Sequence, residues 1–359
     1  MSIVSEFRSF HYFNFDYYVM KLRTWSRNAR IGKSAITPVR RLWRAWPFWM
    51  ALAGIPSGCG FETEPLLRVA THVWPGYELL YLAREQGYYD ERRIRLVELT
   101  SATETASALR TGAVEAGALT LDEALSLVGR GVEVRIVLAF DDSAGADVLL
   151  AHPDIADLAG LRGRRIGAEN SAVGALLLDA ALQTAGLTPA DITLTPLTVD
   201  EQLAAYRAGR VDAVVTFDPV AAQLRAEGAR PLFDSRQIPH QIVDVLVVRS
   251  DALHRHGKAL ELLIAGYFRA LRDWRDRAPQ LAPLLAPRLR LAPPEVIHAF
   301  QGLRLFGLAE NRQLLAGSEP ALERAAGVLS ERMVARRLLR AAPLPGPLAD
   351  AHWLPATPP

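Results

Sequence analysis

Between Leu67 and Leu99 the hydrophobic positions change period twice. Leu67 to Val73 is short, apolar and β-branched, and Trp74-Pro75-Gly76 breaks it. Tyr77 to Tyr88 carries Leu79, Leu80 and Leu82 at helical spacing among polar residues, with Gly87 placed to stop it. Arg93 to Leu99 alternates apolar and polar, as a half-buried strand does. Strand, loop, helix, strand predicts a βαβ unit and therefore a parallel sheet. The loop His72 to Glu78 then lies at the carboxyl edge, where open α/β sheets bind ligands.

The same grammar continues. Thr100 and Ser101 cap a predicted helix running to Gly112, Val114 to Leu119 reads as a strand, and Thr120 caps a helix over Leu121 to Gly129. Val132 to Phe140 is the next strand, Asp141 to Asp147 a loop, and Val148 to Ala151 again a strand. The pattern then restarts. A strand leads into the loop Glu169-Asn170-Ser171, and Ala172 to Ala185 is a helix. Ile192 to Leu197 is a strand, Asp200 caps a helix ending at Gly209, and Val211 to Thr216 is a strand. Phe217-Asp218-Pro219 opens another helix with Pro at its first position, and Ile242 to Val248 reads as a buried strand. Beyond Asp251 the spacing predicts helices over 259–277, 294–305 and 321–339, then a loosely packed Pro-rich tail over 341–359. The expectation is an α/β protein with two lobes: 66–148 plus 246–340 as the first and 149–245 as the second. A hinge crosses near 148 and 243, and a ligand cleft lies between the lobes.

Composition sharpens this picture at the N-terminus. The chain has 359 residues and a net charge of +2, yet residues 21–46 hold many Arg and Lys and no acid. The basic balance therefore belongs to that segment and does not point to nucleic acid. Residues 1–59 follow the plan of an export signal: Arg40, Arg41 and Arg44, then an apolar run from Trp46 to Ile55, then Pro56-Ser57-Gly58-Cys59. Ser57-Gly58-Cys59 looks like the end of a bacterial lipobox, with Cys59 lipidated, although Pro56 stands where that pattern prefers Leu. A plain signal peptide, or a disordered tail with an incidental cysteine, is the other reading, and translation could start at Met1 or Met20. Cys59 is the sole cysteine, so no disulfide within the chain and no Cys-based metal or redox site is possible. No apolar run reaches the roughly 20 residues that span a bilayer.

Several motifs together resemble the solute-binding proteins of nitrate/sulfonate/taurine-type ABC importers, a superfamily that includes binders of pyrimidine thiamine precursors. They are Trp74-Pro75-Gly76-Tyr77-Glu78, the segment Tyr81 to Glu91, Leu119 to Ala124, Gly167-Ala168-Glu169 and Thr216-Phe217-Asp218-Pro219. The resemblance covers about residues 66–340. It implies a type II periplasmic-binding-protein fold with C-terminal helices that closes by a hinge on a small ligand. It also implies an ABC permease in the inner membrane as partner. A membrane signalling receptor is the alternative partner. The implied location is periplasmic, as a lipid-anchored monomer without a cofactor.

Within the expected cleft, Trp74 could stack on a flat or cationic ligand or simply close the core. Tyr77 is the tyrosine nearest the cleft. Ser101, Thr120 and Ser171 each begin a helix, where a hydroxyl and free N–H groups could hold an anion or merely cap. Asp142, Asp147, Glu169, Asp218 and Asp244 are loop acids that would favour an amine or protonated heterocycle, or serve hinge salt bridges. Together they suggest a zwitterion such as taurine or an N-heterocycle. In resembling proteins the aromatic after the first strand and the acid of the Gly-x-Glu loop contact ligand, which carries over to Trp74 and Glu169. His254-x-His256 lacks a third ligand, so no metal is expected. No Ser-His-Asp order, nucleophile elbow or phosphate loop occurs, and a single cysteine cannot supply the cysteine-rich motif of the related fungal pyrimidine synthases. Binding rather than catalysis is therefore expected.

Overall fold

Apolar runs from the first half of the chain, joined by two late strands, build one sheet. The computed structural model describes residues 64–342 and 347–359. Cys59 and the export-signal reading lie outside the described residues. In chain order the strands of the first lobe are β1 (Leu67–Thr71), β2 (Ile94–Glu98), β3 (Ala116–Thr120) and β4 (Val134–Ser143). The second lobe follows with β5 (Val148–Ala151), β6 (Arg165–Ala168), β7 (Thr193–Pro196), β8 (Ala213–Thr216) and β9 (Arg230–Asp234). The chain then returns with β10 (Val243–Arg249) and β11 (Leu303–Leu305). The sheets are ordered β11-β4-β10-β3-β1-β2 and β7-β6-β8-β5-β9. The chain thus passes between them twice, over 144–147 and 235–242.

β1 is parallel to β2 and β3, as the βαβ reading requires, while β10 is antiparallel to both β3 and β4. Nearly every residue of β3, β4 and β10 is buried, since helices cover both faces. On the first lobe these include α1 (Glu78–Glu85), α2 (Ala102–Thr111) and α3 (Leu121–Val128). The second lobe carries α4 (Ala172–Thr184), α5 (Val199–Arg207) and α6 (Val220–Ala226). α7 (Gly257–Leu289), α8 (Pro293–Gln301), α9 (Leu308–Leu315) and α10 (Ala321–Ala335) return to the first lobe, where α7 packs along α1. α2 shows how local sequence sets these limits. Ser101 accepts from Glu104 N–H at 3.2 Å, and Gly112 stops the helix in the left-handed region at φ 72°.

Five expectations are corrected. The helix expected over 294–305 ends at Gln301, and Leu303–Leu305 pair with β4 as β11 instead. β4 does not end at Phe140 but runs through Asp141, Asp142 and Ser143, because β10 and β11 supply ladder partners there. α5 is capped by Thr198 with Glu201, not by Asp200. Pro219 precedes α6 as its N-cap instead of occupying its first turn. The tail is not loose. β11 covers β4 only at its end, and the rest of that edge is satisfied by other segments. Ile136 N–H donates to Leu348 O at 2.7 Å and Asp350 N–H to Ile136 O at 2.9 Å. Asn311 accepts from Ala139 N–H at 2.7 Å and donates to its carbonyl at 2.9 Å. An edge that would otherwise offer free N–H and C=O groups is thereby closed. Trp353 anchors the tail on Gly257, where a Cβ would lie 2.8 Å from the indole.

α7 departs from helical geometry at Arg277 (φ −148°), two residues before Pro279. Its second half contains Pro283 and Pro287 as well, and it carries Arg288 to the first lobe, where its guanidinium holds the buried Glu78 at 2.8 Å.

Candidate functional site

The loop after β1 turns through Pro75–Tyr77 and presses its aromatic side chains back onto the sheet. Trp74 is 3% exposed and its Nε1–H donates to Asp141 Oδ2 at 3.4 Å. The backbone comes this close because residue 76 is glycine; a Cβ there would stand 2.0 Å from the same carboxylate oxygen. The Tyr77 hydroxyl donates to Asp244 Oδ1 in a short hydrogen bond. Burial first, then the Asp244 charge, push the Tyr77 phenol well up, so it remains a donor.

Register places three polar side chains in a row. Asp244 on β10 lies opposite Thr120 on β3 and opposite Asp141 on β4, and cross-strand neighbours share a face. Asp122 and Glu123 join them from the first turn of α3, and Asp147 from the first crossing segment. Asp122, Asp141, Asp147 and Asp244 face one another electrostatically, while Glu123 feels Asp122. All five carboxyls are buried, and among the described residues no Arg, Lys or His pairs with any of them. Both oxygens of Asp122 lack a hydrogen-bond partner, as do Glu123 Oε1, Asp141 Oδ1, Asp147 Oδ2 and Asp244 Oδ2. Burial disfavours the charged form, so it pushes Asp122 up to about 6, Asp147 to about 7 and Asp141 to about 8. Asp244 and Glu123 are pushed well up, by burial first and then by Asp141 and Asp122 respectively.

From the second lobe α4 packs on α3, and two side chains reach this face. Phe217, just after β8, packs edge-on against Trp74 with ring centroids 5.1 Å apart and lies 6.4 Å from the His72 ring. His72 is buried, its Nδ1 has no partner, and burial lowers it to about 4, so the ring is neutral. Glu169, after β6, crosses to α2, where its Oε1 accepts from Thr103 N–H at 3.1 Å and Thr103 Oγ1–H at 2.9 Å. The first turn of a helix offers free N–H groups to an anion, and the protein's own carboxylate takes that place.

Of the residues singled out in the sequence, Trp74, Tyr77, Thr120 and Asp244 come together around Asp141, with Ser101 and Glu169 beside them at α2. Asp147 joins the same group from the first crossing segment, whereas Ser171, Asp142 and Asp218 lie apart from it. Ser171 accepts from Gly174 N–H at 3.2 Å and caps α4. Asp142 points to the opposite face of β4 from Asp141, where His240 Nδ1 stands 2.6 Å from its Oδ2 at the second crossing. Asp218 pairs with Arg225 at 3.4 Å and lines a separate cavity of about 360 Å³ with Arg236, His298 and Gly302. Sequence reasoning passed over His72, Asp122, Glu123, Asp141 and Phe217 as site residues. Three of them lay inside quoted motifs, which was the available signal. Among the described residues no cluster of His, Cys, Asp and Glu is arranged to hold a metal ion, and no helix is long and apolar enough to cross a membrane.

Comparisons with known proteins agree on the architecture. Residues 62–286 match the profile of the NMT1-like family. A putative aliphatic sulfonates-binding protein of Escherichia coli (strain K12) is 27% identical over 211 residues, which is 58% of this chain and 66% of the relative. The match therefore spans just under two thirds of that relative's length. The alkanesulfonate-binding protein SsuA from Xanthomonas axonopodis pv. citri, solved with MOPS bound, superposes with a TM-score of 0.65 at 20% identity, over 80% of this chain and 97% of that one. The periplasmic aliphatic sulphonate binding protein SsuA of Escherichia coli gives 0.62 at 20% identity, over 82% and 93%. The fold is that of the periplasmic binding proteins.

Proposed function

Because the chain belongs to the NMT1-like family, we propose that it is the extracytoplasmic solute-binding component of an ABC importer, closing its two lobes on a small organic solute. The observation that carries this reading is the buried polar face between the lobes. Hydrogen-bonding groups without partners are costly inside a protein, and here they gather where Trp74, Tyr77, Asp141 and Asp244 of one lobe meet Phe217 of the other. A solute bridging the lobes would engage both at once and favour the closed state. The 27% identical relative is named as an aliphatic sulfonates-binding protein, which supports a small solute of the sulfonate or taurine-like class, with an N-heterocycle as the other class. Binding, not catalysis, is the role assigned, and the permease is the partner.

A melting-temperature survey with taurine, alkanesulfonates, nitrate, aminopyrimidines and small amines tests the reading. A solute at 100 times its dissociation constant adds about 2.7 kcal/mol. Deleting the gene is then expected to abolish uptake of the solute that shifts the melt. Unchanged uptake with a lost cellular response would instead assign the chain to a signalling receptor. Membrane attachment through Cys59 belongs to the same reading. Cys59→Ser is expected to release the protein into the soluble periplasmic fraction, and continued attachment would refute a lipid anchor.

A further inference from the structure

The charge of the solute can be argued from the same face, and the argument rests on the solute-binding reading above. The sulfonate named for the relatives is an anion. An anion held by this fold would need cationic or N–H donors turned to the cleft. The first turn of α2 is such a place, and it is already filled by the Glu169 carboxylate from the opposite lobe. The remaining polar groups are of the wrong sign for an anion. Asp122, Glu123, Asp141, Asp147 and Asp244 converge from α3, β4, the first crossing and β10, with six oxygen atoms unpartnered between them.

Neutral groups beside the carboxyls are unpartnered too. Thr120 Oγ1 is buried without a hydrogen bond and lies opposite Asp244 on the same face of the sheet, and His72 Nδ1 is buried without one beside the Tyr77 ring. The aromatic residues complete a recognisable chemistry. Trp74 and Phe217, one from each lobe, stand edge to face, with Tyr77 6.4 Å from Trp74. Aromatic faces next to carboxylates attract a delocalised or alkylated nitrogen cation. Ammonium, amidinium and guanidinium groups also carry the several N–H donors that the unpartnered oxygens require.

We propose that the solute is an organic cation whose positively charged nitrogen group, entering as the lobes part, pairs with the Asp141–Asp244 couple and its neighbours Asp122 and Asp147 beside the Trp74–Phe217 contact, and that sulfonates without a cationic group are not its ligands. Glu169 then acts from the second lobe as a built-in anion at α2 and needs no counterpart on the solute.

The test uses the full chain and three sets of probes followed by thermal shift and titration calorimetry: benzamidine, agmatine and 4-aminopyridine as cations; taurine as the zwitterion; propanesulfonate and nitrate as anions. The expected result is a shift with at least one cation and none with the anions. Asp141→Asn and Asp244→Asn keep the shape and remove the ability to ionise against a cation. Each is expected to weaken the cation at least tenfold while leaving the ligand-free melting temperature equal or higher. A residue with a merely structural role would lower it. A shift with taurine, propanesulfonate or nitrate but with none of the cations overturns the cation assignment and leaves solute binding standing. Cation binding that survives both Asn variants overturns the assignment of these carboxyls. No shift with any probe overturns the cation assignment, and the wider survey above decides solute binding separately.

Discussion

The ligand-free protein is expected to melt at a higher temperature at pH 5.5 than at pH 8, the reverse of a protein held together by surface carboxylate pairs. Burial raises Asp122 to about 6, Asp147 to about 7 and Asp141 to about 8 in the folded chain. In the unfolded chain each titrates near about 4. The folded state therefore holds these protons more tightly. Its advantage is complete below the unfolded value and is lost progressively as pH rises through the folded values. At about 1.4 kcal/mol per pH unit, Asp147 alone loses about 2 kcal/mol between pH 5.5 and 7.

His72 opposes the trend. Its folded value near 4 lies below the ordinary imidazole range, so stability falls as pH drops below about 6.5, by about 1.4 kcal/mol at pH 5.5. The carboxyls outweigh it because several titrate in the same window. The carboxylates that ion pairs hold low, such as Asp212 beside Arg165 and Asp234 beside Arg236, add pH dependence only below about 4. Melting curves taken every half unit from pH 5 to 8.5 check the sign. A flat or rising profile would mean that the carboxyls at the lobe junction are solvated in the free protein. Asp147→Asn is expected to flatten the profile near pH 7.

Arg288→Ala is expected to be among the most destabilising single changes in the first lobe, costing about 3–5 kcal/mol, because it strips a buried carboxylate of its partner. Glu78 is fully buried in the first turn of α1, where its two oxygens accept from Arg288 Nε at 2.8 Å and Nη2 at 3.2 Å. The same guanidinium donates to Glu98 at 2.6 Å and stacks 3.2 Å over the Tyr81 ring. Burial still pushes the Glu78 carboxyl up despite Arg288, so desolvation exceeds the pairing and the ion pair is not itself a large net gain. That distinction can be measured. Removing Arg288 alone leaves an orphan charge, whereas Glu78→Leu with Arg288→Met is expected to cost far less than the single change. Chemical denaturation of the three proteins decides it. A double variant as unstable as Arg288→Ala would show that the stacking on Tyr81, not the charge, is what matters.

How much of the fold is written locally in the sequence follows from the range of each interaction. The period-two and helical runs around Leu67 to Leu99 settle β1, α1 and β2 because a strand or helix face is written in neighbouring residues. The same locality made Ser101 and Ser171 legible as helix starts, and there they cap. It misled at Asp141 to Ser143. Three polar residues after an apolar run read as a loop, yet β10 and β11, about 100 and 160 residues further on, extend the ladder through them. Sequence spacing therefore points to Asp142 and passes over Asp141, its neighbour on the opposite face.

By itself the sequence determined the α/β class, the two-lobe order of elements and the aromatic loop after the first strand, since hydrophobic period and turn chemistry act over a few residues. Only the tertiary structure decided which acids converge. Asp122, Asp141, Asp147 and Asp244 come from a helix, two strands and a crossing segment, and their burial, raised proton affinity and unpartnered oxygens exist only once β10 inserts between β3 and β4. The tertiary structure also decided that Glu169 spans the lobes and that Arg288 reaches Glu78. The sign and cost of a charge depend on what surrounds it in space, and sequence spacing does not carry that information.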